Sequence, residues 1–421
     1  MPKAGQKSSF GAGFFPALAG SFSVVLISQI REFLRIEIGL EAVCLHSAKR
    51  IFRSGSRQEY IILAIVVLLG ASYAYVTMAS SQLYIDEITY GRLGYSLLQG
   101  HLASDSALLP IYQKLGSVRS DIHTPLGYID SVEPWLDHPP LVPLLLAPIL
   151  ATGVSLRLLP IIFSSLTALL VFFLLRDRRV LAWATTLIWI SFFITHPILS
   201  MLFIDSGVAF FNLLTVVLTN EYTRGRSSKP LYAAGVAAGA SALSKLFGVA
   251  SLLYLLAYMV HSRLSQPKEN LPTIYKPLLL GIGIASIWPL YGLATNAPLF
   301  VQLLQFNVSR SVISGNILNF PVLASLSYTK NAMYSAGIDP FLLGGWVGIV
   351  YSLLKKNLRV ILLSPACYLL VVLGLKYAWF YTVIPLFPFF AIGIGAMVTD
   401  IISVTRKRIL HQSSDRLLVS Q

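Results

Sequence analysis

The sequence predicts an all-α polytopic membrane protein, and three observations support this fold class. Of the 421 residues, 55% are hydrophobic and only 12% are charged, against about 25% charged residues in an ordinary soluble domain. About ten apolar runs are long enough to cross roughly 30 Å of hydrocarbon. The net charge is +14, and the basic residues lie at the ends of the apolar runs. This pattern excludes a soluble globular protein and argues against a nucleic-acid-binding protein.

The apolar runs are expected to be membrane-spanning helices, because backbone groups that face lipid must be hydrogen-bonded within their own segment. Their approximate ranges are 60–80, 157–175, 180–196, 202–220, 230–244, 246–261, 277–296, 339–354, 360–375 and 380–402. Cys44 and Cys367 lie far apart without a metal-ligand spacing. Neither a disulfide framework nor a zinc site is therefore indicated.

Lys and Arg collect in every second connection, and this distribution predicts how the chain is oriented in the membrane. The parts expected in the cytoplasm hold Arg176, Arg178, Arg179, Arg224, Arg226, Lys229, Arg263, Lys268, Lys276, Lys355, Lys356, Arg359, Arg406, Lys407, Arg408 and Arg416. Apart from the long segment 81–156, the opposite connections hold only Lys245, Arg310, Lys330 and Lys376. The chain therefore enters from the cytoplasm and is expected to be a multi-pass protein of the cell membrane.

One further apolar run, 139–151, is predicted to lie at the outer interface. It contains four prolines and is too short for an ordinary crossing. If it crossed the membrane, every later connection would change sides, so an interfacial helix is the better interpretation. The first outer loop then extends over about 81–156 and is rich in acidic residues.

The predicted crossings divide the chain into three parts. Residues 1–59 are expected to form a cytoplasmic or interfacial segment, residues 60–402 the transmembrane domain with its outer loop, and residues 403–421 a basic cytoplasmic tail. The basic inner surface fits an anionic inner leaflet, so membrane lipids are expected partners.

Three acidic residues are candidates for function because they lie at the predicted outer face. Asp86 and Glu87 follow the first crossing, and Asp205 opens the fourth. Ionisable groups at membrane depth are costly when buried and are often functional. The alternatives are a solvated acidic pair at a helix end and, for Asp205, a helix N-cap.

Two lysines and a histidine are predicted on the same face. Lys245 lies in the outer turn between the fifth and sixth crossings, and Lys376 precedes the last crossing. An ammonium group can bind a substrate phosphate as a point charge, or it can reach lipid phosphates by snorkelling. His138 precedes Pro139 and Pro140, an arrangement that is also usual for a turn.

Together these residues predict an outward-facing cavity with carboxylates, a histidine and lysines. Such a cavity suits an enzyme whose substrate has an anionic phosphate head group and a lipid tail. A carboxylate would act as the base, and lysines would stabilise charge on a departing phosphate.

The ordered motifs over about 80–395 resemble the membrane-embedded GT-C glycosyltransferases, in particular the protein O-mannosyltransferase and aminoarabinose transferase branch. The motifs are Asp86-Glu87 with Tyr90, His138-Pro-Pro-Leu141, Arg157-Leu158, Asp205, Ser244-Lys245 and Tyr381-Thr-Val-Ile-Pro-Leu-Phe-Pro388. The resemblance implies a GT-C-like bundle and an enzyme that transfers a sugar from a polyprenyl-phosphate donor to an acceptor hydroxyl. Transfer would occur on the extracytoplasmic face with inversion, and the acceptor would be a protein, a lipid or a glycan.

The resemblance also implies roles for individual residues. Asp86 is the general base or the acceptor-orienting carboxylate, with Glu87 beside it, and Asp205 matches the second acidic position. Lys245 matches a phosphate-contacting lysine, and His138 shapes the cavity. The other implied substrate-binding residues are Tyr90, Arg157, Lys376 and Tyr381.

Thr89 departs from the pattern, because the aminoarabinose branch usually has arginine there. The identity of the donor and of the acceptor therefore stays open. Adjacent acids are not a DxD motif, so no metal is required, although an acidic cavity can recruit Mg²⁺ or Mn²⁺. No other cofactor is expected.

Two alternative functions remain at this point. A lipid-linked glycan ligase or polymerase would use a pyrophosphate donor at the same kind of site. A secondary transporter or flippase would place its polar residues near mid-membrane and show repeated halves, whereas the acids here cluster at one face.

Overall fold

The computed structural model describes residues 57–79, 81–100, 104–105, 117–133, 136, 138–225, 227–265, 271–311, 340–355, 358–372 and 380–419. The α-helices within these residues are α1 Arg57–Ala79, α2 Ile85–Leu98, α3 Leu141–Ala151, α4 Leu158–Leu175, α5 Arg179–Thr195, α6 Ile204–Gly225, α7 Ser228–Ser244, α8 Ala250–Ser265, α9 Leu271–Ala285, α10 Ile287–Ser311, α11 Pro340–Leu353, α12 Arg359–Val372 and α13 Phe387–Val419. Short 3-10 helices cover Pro197–Leu199, Leu246–Val249 and Phe380–Leu386. The strands are β1 Ser104–Asp105, β2 Ser117–Thr124 and β3 Gly127–Glu133. The chain divides into two compact units, residues 1–60 and 61–421, and the packing below lies in the second.

Each predicted crossing overlaps a helix, which confirms the all-α membrane class. Among the described residues, the stretches that are long and apolar enough to cross a membrane are Arg57–Met78, Leu158–Leu175, Leu246–Leu264, Tyr275–Gln305 and Tyr381–Thr405. Leu141–Ala151, Arg179–Thr195, Phe341–Leu353 and Arg359–Val372 are shorter apolar helices. A multi-pass membrane protein follows, while the count of ten crossings stays a prediction.

Helix α4 packs in the first part of the bundle, and it is apolar except for Ser164, Ser165 and Thr167. Its residues Phe163, Val171 and Phe172 are buried, and the helix packs against α5 and α6. Helix α6 packs in turn against α7, and α13 packs against α5 and α11. The short connection from Gly225 to Ser228 makes α6 and α7 antiparallel neighbours, so the beginning of α6 meets the end of α7.

Hydrogen bonds to the Asn212 side chain connect three helices inside the bundle. The side-chain oxygen of Asn212 on α6 accepts hydrogen bonds from Ser251 on α8, at 3.1 Å, and from Ser364 on α12, at 2.9 Å. All three side chains are buried. Interhelical hydrogen bonds of this kind hold membrane helices together where lipid supplies no hydrophobic driving force between them.

The predicted outer loop, residues 81–156 and called the outer segment below, contains a small sheet that the hydropathy pattern did not predict. The strand order is β1-β3-β2, all pairs are antiparallel, and the β2–β3 register shifts between Arg119 and Ile122. The turn Thr124-Pro125-Leu126-Gly127 was a usable signal, because Pro and Gly between two runs of alternating polarity are typical of a hairpin. The all-α class therefore holds for the bundle but not for the outer segment.

The run 139–151 forms helix α3, as predicted, and begins after Pro140. Val142, Leu146 and Leu150 bury one face of it against α4. Its position at the membrane interface stays a prediction. The predicted segment 1–59 lies almost wholly outside the described residues, and the predicted tail 403–421 continues α13 as far as Val419.

Helices α7 and α9 approach each other closely at Gly235. A β-carbon added there would lie 2.1 Å from the carbonyl oxygen of Pro277, which is far inside van der Waals contact. Small residues at such positions let membrane helices pack backbone to backbone. Gly283 on the same helix α9 has open space around it instead.

We therefore expect Gly235→Ala to lower the free energy of unfolding of the purified protein by about 1–3 kcal/mol, because the methyl group forces the two helices apart. Gly283→Ala is the matched control and should be neutral or stabilising, since alanine favours a helix over glycine by roughly 1 kcal/mol. Thermal unfolding in detergent measures both. Equal effects of the two substitutions would contradict the close approach of α7 and α9.

Candidate active site

Asp205 and Lys245 form a buried ion pair where α6 begins and α7 ends. The ammonium nitrogen of Lys245 lies 3.0 Å from Oδ1 and 2.8 Å from Oδ2 of Asp205. Asp205 is only 1% exposed and Lys245 only 8% exposed. A buried charge of either sign is tolerable when it is paired in this way. The structure thus brings these two predicted site residues together.

The chain conformation at the end of α7 directs the Lys245 side chain toward Asp205. Lys245 leaves the helix in an extended conformation, with φ −159° and ψ 149°. The next residues form the 3-10 helix and fold back so tightly that a β-carbon at Gly248 would lie 1.9 Å from the carbonyl oxygen of Ser241. Only glycine permits this return of the chain over α7.

Two aromatic rings flank the Lys245 ammonium group. It lies 4.7 Å from the ring centre of Tyr381 and 5.2 Å from that of Phe247. A cation over an aromatic face is attracted by the ring quadrupole, by up to about 2 kcal/mol where water is excluded. The lysine is therefore held by a carboxylate and by two rings.

A row of aromatic rings connects this pair with the beginning of α2. The ring of Phe203 stacks on that of Tyr381 with 5.2 Å between centroids, and the ring of Tyr84 lies 5.8 Å from that of Phe203. Asp86 is half-buried in the first turn of α2. Burial first, and then the negative charge of Asp86, raise the pKa of the Tyr84 phenol.

His138 links the outer segment to both groups of residues. Its ring makes an edge contact with Tyr90, at 6.5 Å between centroids, and it interacts electrostatically with the Asp205 carboxylate. Tyr90 follows Asp86 by four residues, and residues four apart lie on the same face of a helix. The half-buried face of α2 that carries Asp86 and Tyr90 is thereby joined through His138 to Asp205.

Glu87 and Arg157 form a second ion pair that is completely buried. The carboxylate accepts from Arg157 Nε at 2.8 Å and from Nη2 at 2.6 Å, and the two side chains are 0% and 1% exposed. The same carboxylate accepts from the backbone N–H of Tyr84 at 2.9 Å and of Leu202 at 3.0 Å. Both oxygens of Glu87 are therefore engaged with protein donors.

The remaining N–H groups of Arg157 donate to the backbone carbonyl groups of Met78, Ser81 and Gln82 and to the Ser81 hydroxyl. Met78 lies at the end of α1, and Ser81 and Gln82 lie between α1 and α2. Such bidentate and multiple bonding is the geometry that a guanidinium group favours. The pair consequently ties α1, α2, α4 and the residues before α6 to one point.

The structure thus brings the predicted site residues into two neighbouring groups. Asp205, Lys245, Tyr381 and His138 form one, and Glu87 with Arg157 forms the other. Asp86 and Tyr90 lie on α2 beside both. The remaining candidate, Lys376, lies outside the described residues.

Sequence reasoning missed Tyr84, Phe203 and Phe247. A signal was present, because Tyr84-Ile-Asp86 and Phe203-Ile-Asp205 repeat the order aromatic, isoleucine, aspartate. The aromatic residue just ahead of each acid is the one that joins the row of rings.

The described residues do not fit a divalent cation. No group of three or more His, Cys, Asp and Glu side chains that could hold a metal ion occurs among them. Mg²⁺ prefers open carboxylate oxygens and water, whereas the carboxylate of Asp205 is held by Lys245 and that of Glu87 by Arg157.

Residues 147–292 match the family described as dolichyl-phosphate-mannose-protein mannosyltransferase. The predicted resemblance to the protein O-mannosyltransferase branch is confirmed over this stretch. The matched stretch contains Arg157, Asp205 and Lys245, while Asp86 and Tyr381 lie outside it. No curated protein matches the chain significantly by sequence.

Three solved structures are similar to this chain at low sequence identity. The S. cerevisiae protein O-mannosyltransferase Pmt1-Pmt2 complex bound to the sugar donor is 16% identical, with 66% of this chain and 37% of that chain covered and a TM-score of 0.40. Arabinosyltransferase EmbB from Mycobacterium smegmatis is 15% identical, with 77% and 30% covered and a TM-score of 0.41. The apo oligosaccharyltransferase of Archaeoglobus fulgidus is 14% identical, with 84% and 52% covered and a TM-score of 0.49. The chain spans about a third to a half of the length of these proteins.

We expect Glu87→Gln to destabilise the protein by about 3–5 kcal/mol, because it leaves the Arg157 guanidinium buried without a countercharge. Asp177→Asn is the control, since it breaks the ion pair with Arg224 in which Asp177 is 62% exposed, and an exposed pair contributes about 1 kcal/mol or less. Melting temperatures in detergent distinguish the two. A Glu87 variant as stable as the Asp177 variant would contradict the structural role of the buried pair.

Proposed function

We propose that this protein is a glycosyltransferase that transfers a sugar from a polyprenyl-phosphate donor to an acceptor hydroxyl. Transfer takes place on the extracytoplasmic face, with inversion at the anomeric carbon. The observation that carries this proposal is the Asp205–Lys245 pair between aromatic rings, close to helix α2, whose first turn holds Asp86.

Lys245 is suited to bind the donor phosphate. An ammonium group has three N–H donors, and two of them are directed at the oxygens of Asp205. The third can reach a phosphate oxygen, and the low exposure of the site strengthens that attraction. Asp205 and the rings of Tyr381 and Phe247 act as positioning groups, because they fix the ammonium before the substrate arrives.

Asp86 is the general base in this proposal. It accepts the proton of the acceptor hydroxyl while the hydroxyl oxygen forms a bond to C1 of the sugar. The bond from C1 to the phosphate oxygen breaks, and its electron pair leaves with the polyprenyl phosphate toward Lys245. Attack opposite to the leaving group inverts the configuration at C1.

Glu87 and Arg157 serve this reaction through position rather than by contact with the substrate. Their polar atoms are already bonded to one another and to backbone groups. By fixing the first turn of α2, they hold Asp86 in place relative to α4 and α6. Tyr90 and His138 then form a wall of the cavity between the two acids.

The first donor to test is a polyprenyl-phosphate mannose, and the first acceptor is a peptide with serine and threonine. The mannose donor and the protein acceptor correspond to the matched family, dolichyl-phosphate-mannose-protein mannosyltransferase, whose similarity covers residues 147–292. Serine and threonine supply the proposed acceptor hydroxyl. A donor with a pyrophosphate group would instead make the protein a lipid-linked glycan ligase or polymerase.

We expect the reconstituted protein to release or transfer sugar from a polyprenyl monophosphate donor, and Asp86→Asn to lower turnover by about 100- to 10,000-fold, because the proton acceptor is lost. Donor binding should persist, since asparagine keeps the shape of the side chain. Radiolabelled sugar transfer and equilibrium binding of the donor measure the two quantities.

Asp130→Asn, on strand β3 of the same outer segment, is the control and should retain activity. Full turnover by the Asp86 variant would remove Asp86 from the role of base. Turnover with pyrophosphate donors alone would favour the ligase.

Lys245 has a structural and a chemical role in this proposal, and a double variant separates the two. Lys245→Met alone should lower the melting temperature, because the Asp205 carboxylate is then buried without a partner. Lys245→Met with Asp205→Asn removes both charges and should restore much of that stability, yet kcat should stay about 100- to 1000-fold below the parent. A stable double variant with parental kcat would contradict phosphate stabilisation by Lys245.

A further inference from the structure

A cavity of about 360 Å³ opens at the opposite end of the bundle from the candidate active site. Its walls come from the amino end of α5, the connection from α11 to α12, and α13. Helix α4 separates the two sites, since it begins next to Arg157 and ends just before the turn that leads to α5. Its 18 residues span about 27 Å, nearly the thickness of the hydrocarbon layer.

The lining of this cavity carries a surplus of positive charge. Among the described residues that line it, Arg178, Arg179 and Lys355 contribute three cations and Asp400 contributes one anion, so the difference of three and one is a net charge of +2. The carboxylate of Asp400 contacts the Lys355 ammonium and the hydroxyl of Tyr351. The acid among these described lining residues is therefore already engaged.

The acids on the adjacent turns are bonded to other arginines. Asp177 pairs with Arg224 at 2.5 Å, and Glu221 pairs with Arg224 at 2.6 Å and with Arg176 at 2.9 Å. These bonds hold the two carboxylates at the ends of α4 and α6. Both carboxylates are thus engaged with Arg176 and Arg224.

The floor of the cavity is apolar. Leu181 is 5% exposed, Leu358 is 2% exposed and Ala396 is 5% exposed, and all three belong to the lining. An apolar floor beneath a cationic rim matches a ligand with an anionic head and a hydrocarbon chain. The volume lies within the usual range for small-molecule pockets, about 300–1,000 Å³.

We propose that this cavity binds the phosphate group of an anionic phospholipid. The lipid comes from the leaflet at this end of the helices, which is the cytoplasmic leaflet according to the distribution of Lys and Arg. Arg178, Arg179 and Lys355 receive the phosphate, and the first part of the acyl chain covers Leu181 and Leu358. Basic pockets between membrane helices on the cytoplasmic side are suited to such head groups. The bound lipid would join α5 to α13 without taking part in sugar transfer.

The test measures thermal unfolding of the full chain in neutral detergent during titration with dioctanoyl phosphatidylglycerol. A ligand that binds the folded state raises the melting temperature with saturation. Dioctanoyl phosphatidylcholine has the same chains but a compensating cation, so it should shift the melting temperature far less. Glycerol 3-phosphate is the third probe, because it carries the phosphate without any chain.

We expect Arg178→Gln with Arg179→Gln to raise the half-saturating concentration of phosphatidylglycerol roughly 20- to 30-fold, about fivefold for each charge removed. Both arginines are exposed, so the variant should fold normally. Arg263→Gln with Lys276→Gln is the matched control, because both residues are exposed and neither lines the cavity. Native mass spectrometry of the purified variants counts retained anionic lipid as an independent measurement.

Equal shifts by phosphatidylcholine and phosphatidylglycerol would overturn the proposal. The same weakening in the control variant, or none in the Arg178 and Arg179 variant, would do so as well. Binding of glycerol 3-phosphate as tight as that of the lipid would overturn the lipid as the source of the phosphate. Sugar transfer is measured alongside, and its presence or absence is independent of this outcome.

Discussion

The buried ion pair of Glu87 with Arg157 fixes the geometry on which the candidate active site depends. Removing two charges from water costs several kcal/mol for each ion, and only complete hydrogen bonding offsets that cost. Here the offset comes from backbone groups on both sides: the N–H groups of Tyr84 and Leu202, and carbonyl groups next to α1 and α2. Because Asp86 neighbours Glu87 in the chain and Leu202 precedes Asp205 by three residues, one pair sets the positions of both acids.

The second pair, Asp205 with Lys245, differs from the first in how fully its donors are used. Around Arg157 the guanidinium faces carboxylate and carbonyl oxygens on several sides, whereas Lys245 faces one carboxylate and two aromatic rings. A ring attracts a cation but does not accept a strong hydrogen bond. The saturated pair is therefore suited to hold the fold, and the pair with remaining capacity is suited to meet an anionic substrate.

Hydropathy predicted the helices well because the lipid environment leaves so few backbone solutions. The same reasoning placed Asp205 and Lys245 on one face, since parity of the connections fixes which helix ends lie together. Hydropathy could not reveal that Glu87 forms its ion pair with Arg157, which lies 70 positions further along the chain. That choice depends on helix rotation and side-chain packing, and the sheet at β2 and β3 depends on pairings that apolar run lengths do not report.

The two ends of α4 differ in their charged residues, and this difference explains why the proposed sugar transfer is placed at the Arg157 end. At the Arg157 end, ionisable groups are drawn inside and paired, so their positions are fixed in a medium of low dielectric constant where a charge interacts strongly. At the other end, Arg178 and Arg179 are exposed, and water and salt screen their charges. Preorganised charge stabilises a transition state only when it need not reorganise during the reaction. The buried end meets that condition, whereas the exposed end suits the proposed binding of a lipid head group.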